Sequence, residues 1–387
     1  MNDTATYEMQ DAARALERYT TLTMKRHPDE FLLVRRHATE LKRWFGEVLG
    51  YRLVVESEFA RVLKPPLPDT SPIRAMRGAN GAQVTARVYQ YVCLFAAALQ
   101  APGVGDQLLI SSLVTQMRAD AATEGIVTGE SITERRDMVS AMNILTMFGA
   151  VEETEGTAAG WGADQSQEVL LTIDRTALSY LVANQLNAEP RTERPARTLA
   201  RRLVEDPILN PADLTEDEQR VWSRDRTNVE KQLEEVFRLR LEVRREGALA
   251  WDDSDDATDE PFPGQGVPKQ LALMFIAELV AARKSGNGGT VTVTDCEAER
   301  VIFGILEEYR GHLRADFEPS DPASTPHAKT AITSILTAVG LLAVNVDGTM
   351  TMHPAAARYG ATITRRAAPT KTPDTNVSLF DDTGEIS

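Results

Sequence analysis

The sequence predicts a mainly α-helical fold with small β-hairpins, an α+β chain in which one kind of unit occurs twice. Two alternating, hairpin-like segments begin at Tyr51 and Leu239, 188 residues apart (239 − 51). Two helices with apolar periodicity end at Gly149 and Gly340, 191 residues apart (340 − 149), and glycine suits the left-handed position that closes a helix. Near-equal offsets at distant points of a chain indicate an internal duplication.

Both predicted units have the same order of elements. Charged helices and a hairpin come first, and a proline-containing linker then leads to an apolar helix, a polar helix and a third helix that ends at glycine. In the first unit the predicted helices are 11–19, 32–49, 84–99, 107–122 and one that ends at Gly149. In the second unit they are 196–205, 213–237, 268–284, 295–310 and one that ends at Gly340. The apolar spacing in the third helices is that of a helix face.

The segments after the third helices indicate the type of unit. Residues 149–156 and 168–173 alternate as two strands joined by a glycine-containing turn, and residues 342–346 and 349–352 flank Asp347-Gly348, a strong hairpin signal. Three helices followed by a hairpin are typical of a winged helix, so we expect two winged helices in tandem, each preceded by a helix/hairpin extension. The predicted segments are an N-terminal extension (1–64), a first winged-helix domain (82–184), a helix/hairpin connector (190–252), a second winged-helix domain (266–360) and a disordered tail (361–387).

Composition limits the classes of function. The 387 residues have a formal net charge of −15, whereas a dedicated DNA-binding protein usually has a basic stripe that contacts phosphates. No apolar stretch reaches the about 18–20 residues of a membrane span, and we expect a cytoplasmic protein without membrane contact. Cys93 and Cys296 are too few for a disulfide framework or a zinc site, and we expect both to be reduced core residues.

The segment 252–268 is the more strongly charged of the two predicted linkers. It carries six acidic residues ahead of three prolines. Because like charges repel and proline breaks regular structure, we expect an exposed, self-repelling loop.

Sequence motifs of catalysis are missing. The chain has no Walker A loop, no His-Glu-x-x-His pattern and no nucleophile elbow. Gly103 and Gly105 open like a dinucleotide fingerprint, but Leu108 replaces the third glycine. We therefore expect a protein that is not an enzyme and uses neither cofactor nor metal. An enzyme with a non-standard site, built from isolated residues such as Asn143 or His312, remains a rival.

Basic residues concentrate before the first predicted winged helix and at the start of its third helix. The candidates for contact with the DNA backbone are Arg35, Arg36, Lys42, Arg43, Arg135 and Arg136. The structural alternative is that they pair with the many acids of this chain. The functional interpretation is non-specific contact with double-stranded DNA inside a larger assembly.

The order and spacing of several short segments resemble a known family, the kleisin-interacting tandem winged-helix element (KITE) subunits of the Wadjet type II plasmid-defence system. The resemblance is carried by Ala13–Leu16, Val34–His37, Leu41–Phe45, Gly50–Arg52, Phe59–Pro65, Val88-Tyr89, Glu134–Arg136 with Leu145 and Gly149, and Arg197–Val204 with Pro207. It runs from about residue 10 to 250, and more weakly to 360.

The resemblance implies a specific set of partners. Such subunits dimerise, bind a kleisin-like subunit and lie beside the ATPase heads of an SMC-like motor that translocates DNA. A separate toprim-type nuclease subunit, an indirect partner, cleaves small circular DNA. ATP chemistry and DNA cleavage would then belong to other chains, and this chain would be nucleoid-associated only through the complex.

Two further expectations concern surfaces. Apolar residues within 88–99 exceed what a small three-helix core needs, which favours a homodimer. In the tail, Leu379 and Phe380 form an isolated apolar motif that resembles a sliding-clamp-binding pattern; docking onto another subunit and no role at all are the alternatives. The rival to the whole interpretation is a winged-helix DNA-binding transcription regulator, which would have a basic third helix and often a ligand pocket.

Overall fold

The computed structural model describes residues 3–68, 70–72, 76–78, 83–186, 194–206, 208–254, 258, 260–284, 291–310 and 315–359. Helices dominate these ranges, and the strands form small antiparallel sheets of two or three strands. The prediction of a mainly α-helical chain with small β-hairpins is confirmed at this level.

The first extension combines helices with a three-stranded sheet. Its elements are α1 (Asp3–Tyr19), β1 (Thr21–Thr23), α2 (Pro28–Arg36), α3 (Ala38–Trp44), a π-helical turn (Phe45–Leu49), β2 (Arg52–Val55) and β3 (Phe59–Leu63). The strand order is β1-β3-β2, with β3 antiparallel to both neighbours. The hairpin of β2 and β3 was predicted, whereas β1 was not.

The first three-helix unit follows. Its elements are α4 (Ala86–Leu99), β4 (Gln107–Leu109), α5 (Ile110–Thr123), α6 (Ile132–Met147), β5 (Val151–Glu155), α7 (Ala158–Ala163), β6 (Leu170–Ile173) and α8 (Arg175–Leu186). Its strands are in the order β4-β6-β5. The sequence predicted a loose turn where α7 lies between the two strands of the hairpin.

The second half of the chain repeats this order. It comprises α9 (Pro195–Glu205), a 3-10 turn (Pro211–Asp213), α10 (Glu216–Phe237), β7 (Arg240–Val243), β8 (Ala248–Trp251), α11 (Val267–Lys284), β9 (Val291–Val293), α12 (Asp295–Glu308), a 3-10 turn (Ala315–Phe317), α13 (Ser324–Ala338), β10 (Leu342–Val344), β11 (Met350–Met352) and a 3-10 helix (Pro354–Tyr359). The last sheet has the order β10-β11-β9. In both units, therefore, the last strand lies between the other two.

The ends of the two third helices match closely. Gly149 and Gly340 are left-handed, with φ of 71° and 68°. The amide of the residue after each glycine donates to a carbonyl five residues earlier, Ala150 to Leu145 at 2.9 Å and Leu341 to Leu336 at 2.8 Å. Only glycine adopts this conformation without a steric penalty from Cβ, which is why the pattern was readable in the sequence.

Three helices begin at capping boxes that the sequence also encodes. A Ser or Thr accepts a hydrogen bond from the amide of a Glu three residues on, and that Glu side chain accepts from the cap amide. This reciprocal arrangement satisfies amides that the first helical turn leaves open. The caps are Ser131 with Glu134 for α6, Thr215 with Glu218 for α10, and Thr294 with Glu297 for α12.

The two extensions share a single hydrophobic core. Residues from α1, α2, α3 and β2 are buried together with residues from α9, α10 and β8. Phe45 and Phe237 meet edge to face, with ring centroids 5.7 Å apart. Each three-helix unit has a separate core of its own. Segments 1–64 and 190–252 were predicted as separate, and no sequence pattern indicates that they pack together.

Two expectations about individual residues were wrong. Cys93 and Cys296 are free but exposed, not buried; their apolar neighbours in sequence do not determine which side of the helix faces the core. The acidic linker is not uniformly exposed, because Asp252 and Glu260 are buried. Asp252 pairs with Arg14, and Glu260 pairs with Arg77 and, at 3.1 Å, with Lys269. These ion pairs offset the repulsion that the sequence suggested.

Candidate DNA- and partner-binding surfaces

Arg35 and Arg36, on the last turn of α2, have different surroundings. Arg36 is exposed but pairs with Glu8 at 3.0 Å, and His37 contacts the same carboxylate at 3.0 Å. Hydrogen bonds from His37 and Arg36 lower the pKa of Glu8. Arg35 is exposed, and its guanidinium lies 5.8 Å from the ring centroid of Phe31. Arg36 thus helps to join α2 to α1. For this residue the structure shows pairing with an acid of the same chain, which was the alternative to DNA contact.

Lys42 and Arg43 form the more open part of the predicted basic surface. Both are exposed on α3, and within the described ranges neither has an acidic partner. Leu41 and Trp44, on the same helix, are buried and anchor it to the core. Arg52, on the neighbouring strand β2, is also exposed and unpaired in the described part of the chain, and the sequence analysis did not single it out. A phosphate backbone would meet solvated cations without acidic partners here.

Arg135 and Arg136 lie on α6. This helix packs into the core of the first three-helix unit, not into the core under α2 and α3. Arg136 is exposed. Arg135 is half-buried, and its Nε has no hydrogen-bond partner among the described atoms. The six predicted DNA-contact residues therefore lie over two separate cores, four on the first extension and two on the first three-helix unit.

The third helix of the second unit has its lysine neutralised. Lys329 Nζ pairs with Glu299 at 2.6 Å and with Asp295 at 2.9 Å. Hydrogen bonds with Glu299 and Asp295 raise the pKa of Lys329. This lysine is held by α12 and is not available as a free cation on α13.

A seam joins the first extension to the first three-helix unit. Lys25 pairs with Glu152 of β5, and Arg61 of β3 stacks on Phe148 with its guanidinium 4.7 Å from the ring centroid. Arg61 is 8% exposed, and its Nε and Nη1 have no hydrogen-bond partner in the described structure. Burial lowers the pKa of Arg61 to about 10. The stacking on Phe148 partly compensates for the buried charge.

A polar network lies inside the shared core. Lys64 Nζ donates to Glu17 at 2.9 Å and to Glu205 at 2.7 Å, and the Tyr51 hydroxyl donates to Glu205 at 2.5 Å. Arg201 donates to the carbonyl of Leu49 at 3.1 and 3.0 Å. The network connects α1 and β3 of the first extension to α9 of the second.

The pKa shifts in this network follow from burial and charge. Burial raises the pKa of the Glu17 carboxyl. Burial and the nearby Glu205 carboxylate raise the pKa of the Tyr51 hydroxyl. Burial opposes the charge on Lys64, but Glu17 and Glu205 outweigh it and raise its pKa. Because Lys64 pairs with Glu17 of the first extension and with Glu205 of the second, the network links the two extensions.

A groove runs between α10, the hairpin of β7 and β8, and α1. Two adjacent cavities of 410 and 540 Å³ form it, and both are lined by Glu234 and Arg240. Trp251 lies at one end and Tyr7 at the other, and both are exposed. We call this feature the β7 groove. No local sequence pattern indicates it, since its walls come from segments more than 200 residues apart.

The comparison with protein families was made for the whole chain. The model of a family described as "Protein of unknown function (DUF2398)" matches residues 13–362. The chain belongs to the DUF2398 family. No curated protein and no solved structure matches it. The DUF2398 match begins in α1 and ends just after the 3-10 helix that follows β11, so it includes both extensions and both three-helix units.

Other predictions for this DUF2398 protein meet the structure only in part. Leu379 and Phe380 lie outside the described residues and outside the family match. On α4, Val88, Tyr91 and Phe95 are buried in the unit's own core, whereas Tyr89 is exposed; a homodimer through this helix stays a prediction.

The described residues contain no cluster of three or more His, Cys, Asp or Glu side chains placed to hold a metal ion. In the described part, none of the helices has the length and apolar character to cross a membrane.

Proposed function

We propose that this DUF2398 protein is a non-catalytic KITE subunit, a tandem winged-helix protein that binds a kleisin-like subunit. It would support an SMC-like ATPase complex that acts on plasmid DNA in anti-plasmid defence. The observation that carries the proposal is the repeated order of helix, strand, helix, helix, strand, strand, with the last strand central in both small sheets. This is the order of a winged helix, and its repetition is what the resemblance to KITE subunits implies.

The shared core of the two extensions supports a role as a paired scaffold. The extensions are buried against each other through Phe45, Phe237 and the network around Lys64. A subunit that links other chains benefits from such a core, because the two winged helices are then attached to one common body.

The absence of chemistry in this chain is part of the proposal. In the described part of the chain, the partly buried charges of the network around Lys64 pair with one another, as in the Lys64–Glu17 and Lys64–Glu205 contacts. A catalytic group would instead face a cleft that admits substrate. ATP hydrolysis and DNA cleavage then belong to the motor and to the nuclease subunit, which this chain contacts only indirectly.

DNA contact, in this proposal, is non-specific and local. Lys42, Arg43 and Arg52 offer exposed cations without acidic partners in the described part of the chain, and the chain as a whole carries −15. Affinity for DNA would therefore come from a small patch inside the assembled complex. The neutralised Lys329 disfavours the rival function, a transcription regulator that reads bases with its third helices.

Co-expression tests the proposal. The chain is produced with the SMC-like ATPase, the kleisin-like chain and the nuclease that the proposal expects its neighbouring genes to encode. We expect co-purification with the kleisin-like chain and a homodimer by light scattering. We also expect ATPase activity and plasmid cleavage that need the other subunits but not any single polar residue of this one. Magnesium-dependent ATPase or nuclease activity that tracks with this chain alone would contradict the proposal, as would the absence of any complex.

A further inference from the structure

The outer edge of β7 has unpaired backbone groups. The sheet of β7 and β8 has only two strands. The amide of Arg244 donates to the carbonyl of Gly247 at 2.8 Å, and hydrogen-bonded pairs alternate along an antiparallel ladder. Arg240 and Glu242 therefore bond to β8, while the N–H and C=O groups of Leu241 and Val243 point away from it.

The opposite edge of the hairpin confirms which backbone groups point outward. Ala248 lies across from Val243 in the register. Its amide donates to Leu209 at 2.9 Å, and its carbonyl accepts from Leu209 at 2.8 Å, so Ala248 faces away from β7. The edge of β8 is thus partly covered, whereas in the described part of the chain nothing pairs with the edge of β7. Unpaired strand edges are templates for another strand.

The β7 groove lies beside this edge and has features of a peptide-binding site. Trp251 is 37% exposed, with the Arg240 guanidinium 5.7 Å from its ring centroid, and Tyr7 is 59% exposed. Exposed Trp and Tyr side chains are common anchors in protein interfaces. Glu230 and Glu234 line the groove, and within the described structure their carboxylates have no cationic partner. The other charged groups nearby are paired, as Arg240 is with Asp253 at 3.1 Å.

We propose that β7 binds an extended segment of the kleisin-like subunit by strand addition. The residues of the segment that face the groove would include both apolar side chains and Lys or Arg. Its backbone would pair with Leu241 and Val243, its apolar side chains would cover Trp251, and its basic side chains would reach Glu230 and Glu234. Backbone hydrogen bonds give such a complex its affinity, and alternate side chains give its specificity. This inference rests on the proposed function, because it names the partner.

The test uses the full chain and the purified kleisin-like subunit. Val243→Pro removes an outward N–H but no bond to β8, and proline is accepted on such an edge. Val55→Pro is the matched control. Val55 lies on β2, 188 residues earlier (243 − 55), and the amide of Glu56 donates to the carbonyl of Phe59. The N–H of Val55 therefore points away from β3, as that of Val243 points away from β8. A second pair compares Glu230→Arg/Glu234→Arg with Glu235→Arg, which is exposed on the same helix but does not line the groove.

We expect Val243→Pro and the double charge reversal each to weaken binding about tenfold or more, about 1.4 kcal/mol, while both controls bind like the wild type. Hydrogen exchange at Leu241 and Val243 should slow only in the complex. Wild-type affinity in both test variants, with unchanged exchange, would overturn the inference but leave the proposed function intact. No binding by the wild type would overturn both. If these amides are already protected in the isolated chain and lose protection on truncation after Gly360, the occupant is the chain's own tail and the inference is wrong.

Discussion

Gly50 and Arg238 occupy the same backbone position in two copies of one motif. They lie 188 residues apart (238 − 50), and both are left-handed, with φ of 70° and 56°. In each case the next amide donates to the carbonyl six residues before it, at 3.0 Å after Gly50 and 3.3 Å after Arg238. A hairpin strand begins directly afterwards in both copies. The repeated arrangement thus extends from the three-helix units into the extensions.

Gly50→Ala should destabilise the protein by about 1–2 kcal/mol, because Cβ is unfavourable in the left-handed region. Space is also short, since a Cβ at position 50 would lie 3.1 Å from Nη2 of Arg201. The control is Gly304→Ala, in the middle of α12 with open space around its Cβ. That change should stabilise the protein by about 1 kcal/mol through helix propensity. Urea denaturation measures both changes, and shifts in the same direction would contradict this account.

Features with a local cause could be predicted from the sequence. The third helices, the glycines that end them and the Asp347-Gly348 hairpin depend on periodicity and on turn residues. Even here the loop differs in detail: the amide of Gly348 donates to the carbonyl of Asn345, and that of Asn345 donates to Thr349. Gly348 is left-handed, so this is a three-residue loop and not the shortest Asp-Gly turn.

Features with a long-range cause could not be predicted. The strands β1, β4 and β9 have three residues each, too few to show alternation. Glu8, which engages Arg36, lies 28 residues away from it, and no motif links the two. The shared core and the β7 groove arise only when segments from both halves pack together, so no local pattern indicates them.

Lys64→Met should destabilise the protein by roughly 1–3 kcal/mol, because it leaves the partly buried Glu17 and Glu205 without their cation. The effect should be larger at pH 8 than at pH 5. Burial raises the pKa of Glu17 above its ordinary 4.5, so its stabilising protonated form is lost as the pH rises through the folded-state pKa. Denaturation at both pH values measures this, and adding Glu17→Gln should restore part of the loss. A Lys64→Met protein as stable as the wild type at pH 8 would show that the network contributes nothing.

His353 should make the second unit sensitive to acid. Its Nδ1 accepts a hydrogen bond from the Ala355 amide at 3.1 Å, and burial lowers its pKa below the ordinary 6.5, although Asp213 and Glu246 oppose the shift. The neutral form is therefore favoured in the folded state. The contribution of His353 to the free energy of unfolding is present above pH 6.5 and is lost as the pH falls through the lower folded-state pKa.

His353→Asn keeps an acceptor for Ala355 and removes the titration. Between pH 7 and pH 5, the thermal midpoint should fall less in this variant than in the wild type. His27, whose pKa burial also lowers, contributes to the acid sensitivity that remains. Identical pH profiles for variant and wild type would assign the acid sensitivity to other groups.

Exchange of Lys42 and Arg43 for Glu separates DNA contact from structural pairing in the predicted basic surface. Both residues are exposed on α3 without an acidic partner in the described part of the chain, so the double change should leave stability nearly unaltered. If both contact phosphate, the salt dependence of DNA binding by the assembled complex should weaken. The slope of log K against log salt should fall by about 2, since each phosphate contact contributes about 0.9.

Arg36→Gln is the matched control for that variant, because Arg36 pairs with Glu8 at 3.0 Å. It should leave the salt slope unchanged and have little effect on stability, as is usual for an exposed ion pair. Filter binding or fluorescence anisotropy over a series of salt concentrations gives the slopes. If the slope falls for Arg36→Gln and not for the Lys42/Arg43 double variant, DNA lies against α2 and not α3, and the exposed cations of α3 face solvent or another subunit.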